Sequence, residues 1–296
     1  MKIALITNPY AGGYKSKQLL PMVKKCLRAK KINFDIFQTQ HCDHVAEIIR
    51  SITLQEYDAL VAMGGDGANY QMLNALLKHH NEAQLPPLGI IPAGRGNSFA
   101  RDLQIFTPED AIDALSRSKT RPVDVCCFTQ NTNAYYFVNL MGMGFVTDVA
   151  RTATRFRRTG DFSYILGIWH RMHNLNFYDL RIEIDGKIIS GKNCLVEICN
   201  SRYTGGEMLI APDAKIDDGL FDVVILEPLS RLSLLVTLPR LFKGTHADHP
   251  RVRIIQGSTA TIFTKPEKKL LPDGEMFGVT PTQITILPRR VRYFHR

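Results

Sequence analysis

Three stretches of this sequence gather residue types that suit one chemistry. They are "TNPYAGGYKS", "GGDGANY" and "PAGRGNSFAR", and each is Gly-rich, follows an apolar strand-like run and leads into helix-like sequence. Backbone N–H groups exposed in such turns, at helix N-termini, form a pocket for phosphate oxygens. Lys15 and Arg95 or Arg101 would add charge-assisted hydrogen bonds. One such turn is ordinary punctuation; three on one sheet edge favour a phosphate-bearing ligand over plain turns. Two standard alternatives fail on spacing, because there is no G-x-x-x-x-G-K-[ST] and no G-x-G-x-x-G after the first strand.

The loops need elements to hold them. Up to about residue 120 the chain alternates strand and helix: "KIALITN", "SKQLLPMVKKCLRAK", "NFDIFQT", "HVAEIIRSI", "DALVAMG", "NYQMLNALLKH", "PLGIIPAG", then helical "SFARDL" and "PEDAIDALSRS". Leu20, Val23 and Leu27 share one face at helical spacing. This order predicts an α/β domain on a doubly wound parallel sheet over residues 1–122, with ligands at the carboxyl ends of its strands. From Arg121 onward most segments are short and extended, with "DGK" marking a hairpin, so residues 123–296 read as an antiparallel, mainly-β domain. Helical pieces are expected near 164–173 and 231–242, and the final residues either continue this domain or return to the first.

Composition narrows the class. With 45% hydrophobic residues in 296, the chain can bury substantial cores. No apolar run approaches the ~18 residues of a membrane span, and "MKIALITNPYAGG" reads as a strand entering a turn rather than a signal peptide. The expectation is a cytoplasmic protein. Cys26, Cys42, Cys126, Cys127, Cys194 and Cys199 show no C-x-x-C pairing and read as reduced, buried thiols. A net charge of +9 favours anionic partners. No helix-turn-helix, zinc finger or RNP-type pattern supports nucleic acid.

"NPYAGG", "GGDGANYQMLNAL" and "IPAGRGNSFARDL", followed in order by "GGEMLIAPDAKIDDGLFDVVIL", "HPRVRIIQG" and "LPDGE", resemble the motifs of the diacylglycerol kinase catalytic-domain superfamily, which includes bacterial lipid kinases and sphingosine and ceramide kinases. The resemblance spans almost the whole chain. It implies a nucleotide-binding α/β domain, a β-sandwich domain, ATP in the cleft between them, and Mg2+. Asn8, Gly12, Gly13 and Lys15 match the first phosphate loop, and Thr39 a threonine near the nucleotide. Gly64, Gly65, Asp66 and Gly67, followed by Ala68, match the second loop; Gly94, Arg95, Gly96, Asn97 and Arg101 fall in the third. Asp124 matches an acidic position linked to the active site. Asp218, with the carbonyls of Lys215 and Leu220, matches a Mg2+ position of bacterial members. Asp273 and Glu275 match the region supplying the catalytic base.

Elementary chemistry agrees, since phosphoryl transfer to an alcohol needs phosphate cradling, Mg2+ and a carboxylate that accepts the hydroxyl proton. Sequence does not separate Asp273 from Glu275; Asp273 is favoured. Asp66 is expected to order its loop or a metal–water shell. Ala68 and Arg95 stand where the family usually has threonine, each losing a hydroxyl worth on the order of 1 kcal/mol. Arg95 either brings a guanidinium to phosphate or crowds nucleotide entry.

Weaker signals remain. "HCDH" at 41–44 lacks a second ligand pair and reads as a polar loop before a helix. His79 and His80 read as a helix end, and Cys126–Cys127 as one buried and one outward strand residue. Ile165, Ile168, Trp169 and Met172 share a helical face, with Arg155, Arg157, Arg158, His170 and Arg171 beside it. That segment fits an anionic membrane surface, or packing on the β domain with solvated arginines. "RRVRYFHR" fits acidic headgroups or a charged tail. The favoured function is an ATP- and Mg2+-dependent kinase acting on a lipid hydroxyl, in peripheral contact with the membrane. The alternatives are an NAD-kinase-like enzyme and a catalytically weak nucleotide or lipid sensor. Dimers occur among the relatives that the motifs resemble.

Overall fold

A computed structural model of the chain describes residues 1–41, 43–80, 85–153, 163–172 and 175–296. Cys42, Arg155, Arg157, Arg158 and the side chain of Ile165 lie outside the described set. The chain divides into two compact units, Met1–Asp124 with Arg289–Arg296, and Val125–Pro288. The sequence boundary near 122 falls two residues short of this division, and the final residues do return.

The first unit runs β1 (Lys2–Thr7), α1 (Lys15–Ala29), β2 (Asn33–Gln38), α2 (His44–Ser51), β3 (Ala59–Gly64), α3 (Asp66–His79), β4 (Leu88–Pro92), α4 (Ser98–Asp102) and α5 (Pro108–Arg117). Its strands pair in parallel in the order β2-β1-β3-β4. Every residue of β3 and β4 is buried, as their unbroken apolar runs require. The stripe Leu20, Val23 and Leu27 is buried on α1. α5 starts in a capping box, with Thr107 Oγ1 accepting from Asp110 N and Asp110 Oδ2 accepting from Thr107 N. "RRVRYFHR" is no tail. It ends a strand whose Tyr293 pairs in parallel with Leu88, and Val291, Tyr293 and Phe294 are buried. The alternation of apolar with basic residues there is strand alternation, not a solvated charge run.

β5 (Thr120–Gln130) leads into the second unit, which continues through β6 (Asn133–Phe137), β7 (Leu140–Gly144), α6 (Phe145–Ala153), α7 (Ser163–Met172), β8 (Tyr178–Ile184), β9 (Lys187–Asn193), β10 (Leu195–Cys199), β11 (Tyr203–Thr204), β12 (Met208–Leu209), β13 (Phe221–Leu226), α8 (Arg231–Thr237), a 3-10 segment Leu238–Lys243, β14 (Val252–Gly257), β15 (Thr259–Lys265), β16 (Leu270–Pro272) and β17 (Thr282–Phe294). One antiparallel sheet has the order β14-β13-β10-β7-β16. Elsewhere β8 pairs with β9 and β15, and β15 with the start of β17, all antiparallel. The expected helix over 231–242 is in fact α8 followed by the 3-10 segment; Pro239 has no N–H to continue the ladder. α6 escapes sequence reading because Val146, Thr147, Val149 and Thr152 of "FVTDVARTA" are β-branched, which lowers helix propensity.

Alternation along β10 puts Leu195, Glu197 and Cys199 on one face of its sheet. Val224 and Leu226 of β13, paired with Glu197 and Leu195, lie beside them. Leu195, Cys199, Val224 and Leu226 join Phe145, Val149, Ile168, Met172 and Leu234 in the core of this unit. On α7 Ile168 and Met172 are buried while Trp169 is 57% exposed, so one edge of that helix packs and another faces solvent.

Candidate active site

β1, β3 and β4 are adjacent and parallel, so the turns after them emerge on one edge of the sheet. In the first turn, Asn8 Oδ1 accepts from Tyr10 N at 2.9 Å, and Gly12, Gly13 and Tyr14 take positive φ before α1 begins at Lys15. A Cβ on Gly12 would stand 2.4 Å from Ala93 O, at the start of the third turn. A Cβ on Gly94 would stand 2.3 Å from Gly65 Cα, and Ala93 N and Gly94 N both donate to Gly64 O. The glycines therefore let three loops press backbone against backbone. The first requirement they meet is loop–loop contact, before any phosphate.

Asp66 joins two of these loops. Its Oδ2 accepts from Ser98 N at 3.0 Å and its Oδ1 from Phe99 N at 3.1 Å, so it caps α4 from 32 residues away. Burial pushes its carboxyl above the ordinary value, against the pull of those amides. Of the two expected roles, ordering the loop is the visible one. Asn97, at φ +53°, closes its turn with both amide atoms, Oδ1 accepting from Gly94 N and Nδ2 donating to Gly94 O, each at 3.0 Å. Lys15 is exposed at the head of α1. The Arg95 guanidinium lies 3.7 Å from where a Cβ on Gly13 would be, so it borders the first loop. Arg101 lies over the Phe106 ring, 5.7 Å from its centroid.

Two carried-over residues point inward. Thr39 is buried, its N–H and hydroxyl both directed to Thr7 O. Asp124 is fully buried, with Oδ1 accepting from Arg289 N at 2.6 Å, and so it anchors the returning strand.

In the second unit Asp273 and Glu275 are clearly different. Asp273 is 3% exposed at φ +46°; Oδ1 accepts from Asn139 N and Leu140 N, and Oδ2 from Val138 N, at 3.0–3.2 Å. Its lone pairs are spent on backbone, which leaves little for a substrate proton. Glu275, two residues on, is exposed, and desolvation by surrounding protein raises its carboxyl. The sequence favoured Asp273, but its oxygens are directed to amides more than 130 residues away in the chain, which spacing does not reveal.

Asp218 is exposed in a turn completed by Gly219 at φ +78°, with Oδ1 accepting from Leu220 N at 3.1 Å. One carboxylate and the two carbonyls of Lys215 and Leu220 would offer only oxygen donors, the chemistry that suits Mg2+ with waters. Among the described residues no three His, Cys, Asp or Glu gather for a metal. His41 and His44 stack on each other, ring centroids 5.1 Å apart.

Sequence reading missed an apolar cavity of about 60 Å3 in the second unit. Leu195, Val224 and Leu226 form its sheet side, and Leu234, Leu238 and Leu241, from α8 and the 3-10 segment, its helical side. "RLSLLVTLPRLF" was a signal for it, visible only as an apolar run too short to span a bilayer.

A parallel α/β unit with three Gly-rich loops on one sheet edge, joined to an antiparallel β unit with a buried carboxylate and an apolar cavity, fits a class of two-domain kinases. The chain belongs to the diacylglycerol kinase family. Residues 2–128 match the diacylglycerol kinase catalytic domain, and residues 139–295 the YegS C-terminal NAD kinase beta sandwich-like domain. Curated relatives called diacylglycerol kinase include those of Staphylococcus saprophyticus, 30% identical over 98% of this chain and 94% of theirs, and Staphylococcus haemolyticus, 31% identical over 97% and 86%. Two solved structures from Bacillus anthracis match all of this chain, with TM-scores of 0.84 and 0.72, identities of 24% and 20%, and coverage of 95% and 97% of theirs; the second is described as a diacylglycerol kinase.

Proposed function

We propose that this protein transfers the γ-phosphoryl group of ATP to the hydroxyl of a diacylglycerol-like lipid. The observation that carries the reading is the mutual packing of the three Gly-rich loops, with two helices starting from them and Lys15 and Arg95 alongside. Backbone N–H groups and the two cations would bind the phosphates of ATP. The lipid hydroxyl would attack the γ-phosphorus, its proton passing to Glu275 as the bond to ADP breaks. Asp273 would act as a positioning residue, holding the turn that carries Glu275. Asp218 and the carbonyls of Lys215 and Leu220 would hold Mg2+, which when bound neutralises charge on the phosphates. The apolar cavity beside Leu195 and Leu234 would take part of an acyl chain.

The test is transfer of label from ATP to diacylglycerol, phosphatidylglycerol, a sphingoid base and NAD, with and without chelator. Mg2+-dependent labelling of diacylglycerol, reduced roughly 100-fold or more in Glu275→Gln, supports the reading. Labelling of NAD alone would replace it with the NAD-kinase alternative. ATP binding without transfer to any acceptor would favour a sensor.

A further inference from the structure

α8 and the 3-10 segment have two distinct sides. Inward, Leu234, Thr237, Leu238 and Leu241 line the apolar cavity. Outward, Leu232 is 72% exposed, Val236 57% and Phe242 54%. Leu232 and Val236 are one helical turn apart and share a face. Three large apolar side chains held in water within about a dozen residues are unusual for a surface segment. Arg231, Arg240 and Lys243 are interleaved with them, and no acidic residue occurs over 230–244.

We infer that the outer face of residues 231–243 is the surface on which this protein docks to an anionic lipid bilayer. Apolar side chains enter the acyl–headgroup boundary while the neighbouring cations meet lipid phosphates. A second copy of the chain fits less well, because this face would then meet its own positive charge. A zwitterionic surface would satisfy the apolar residues but not the cations. Seated in this way, the segment is the wall separating bilayer from cavity, and a lipid passing between them moves along or around it. The inference rests on the lipid-kinase reading for its purpose, but its physical test needs no turnover.

The experiment is co-sedimentation of the full chain with phosphatidylglycerol-containing and pure phosphatidylcholine vesicles, without ATP. Wild-type protein should bind the anionic vesicles. The triple variant Leu232→Gln, Val236→Gln, Phe242→Gln should bind at least about tenfold more weakly. Arg240→Gln with Lys243→Gln should lose about tenfold of the preference for anionic over neutral vesicles, and its salt dependence. All five side chains are exposed, so melting temperatures should hold; Leu232→Ser alone serves if the triple variant folds poorly. Transfer to a short-chain diacylglycerol dissolved without vesicles should be unchanged in every variant. Unchanged vesicle binding in the triple variant would overturn the inference while leaving the kinase reading intact. Loss of binding in Trp169→Gln alone would move the docking face to α7 and also overturn it. A variant that changed only self-association, measured by analytical ultracentrifugation, would replace the bilayer with a second copy. Vesicle binding through this face, with no phosphate transfer to any lipid, would leave the inference standing and remove the kinase.

Discussion

At the residue scale the two carboxylates of "DGE" sit in different environments, Asp273 buried on three amides and Glu275 exposed. Asp273→Asn removes the charge that three backbone amides converge on, at a cost of about 3 kcal/mol by the strength of charge-assisted hydrogen bonds. Its melting temperature should therefore fall. Glu275→Gln should melt like wild type and lose turnover. Equal melting of the two variants would contradict this division.

A third acid sets a pH dependence. Glu197 is 1% exposed, its Oε2 has no hydrogen-bond partner among the described residues, and burial pushes its carboxyl up to about 8. In the unfolded chain it titrates near its ordinary value, so between the two values only the native state keeps the proton. Its contribution is full below about pH 4.5 and declines as pH rises toward 8, by about 1.4 kcal/mol per unit at most. Asp222, raised by burial to about 6, acts with the same sign over a narrower range. Glu197→Gln should flatten the fall in melting temperature between pH 5 and 8; an unaltered slope would assign it elsewhere.

Among the elements, the glycine loops behave as one body. Gly94→Ala places a methyl group 2.3 Å from Gly65 Cα, a contact of backbone on backbone that no rotamer relieves. Both loops must shift, because the methyl group meets fixed backbone, and on the proposed function ATP affinity, read by nucleotide titration, should drop at least tenfold while the sheet still folds. Gly186→Ala is the control: at φ +82° it adds a backbone strain that Gly94→Ala does not, yet nothing lies within 4 Å of the added carbon, and ATP affinity should not change. Arg95 fits the same arrangement, because its guanidinium beside Gly13 supplies a cation where the family usually has a hydroxyl.

Across the whole molecule, the returning end is structural. Arg289 N caps Asp124, Tyr293 Oη donates to Asn69 Oδ1 at 2.9 Å, and the Tyr293 and Phe99 rings meet edge-on at 5.1 Å. Removing residues 289–296 uncovers buried Asp124 and Asn69 and exposes Leu88 along β4. The truncated chain should be markedly less stable in the first unit, seen as early loss of amide protection in β3 and β4. A charged tail would be dispensable in that experiment.

Sequence alone determined what depends on near neighbours. Period-2 and period-3.6 patterns gave the strands and helices, and glycine clusters at strand ends marked the loops, because backbone freedom is a property of the residue itself. The order of motifs was enough to indicate the family. Tertiary structure decided what depends on distant partners. Asp66 meets the amides of Ser98 and Phe99, Asp273 those of residues 138–140, and Asp124 that of Arg289. A carboxylate looks the same in sequence whether it faces solvent or three amides, so the separation of Asp273 from Glu275 could come only from packing. The apolar cavity is similar: Leu195, Val224 and Leu234 belong to separate elements, and the space between them exists only once sheet and helix are brought together.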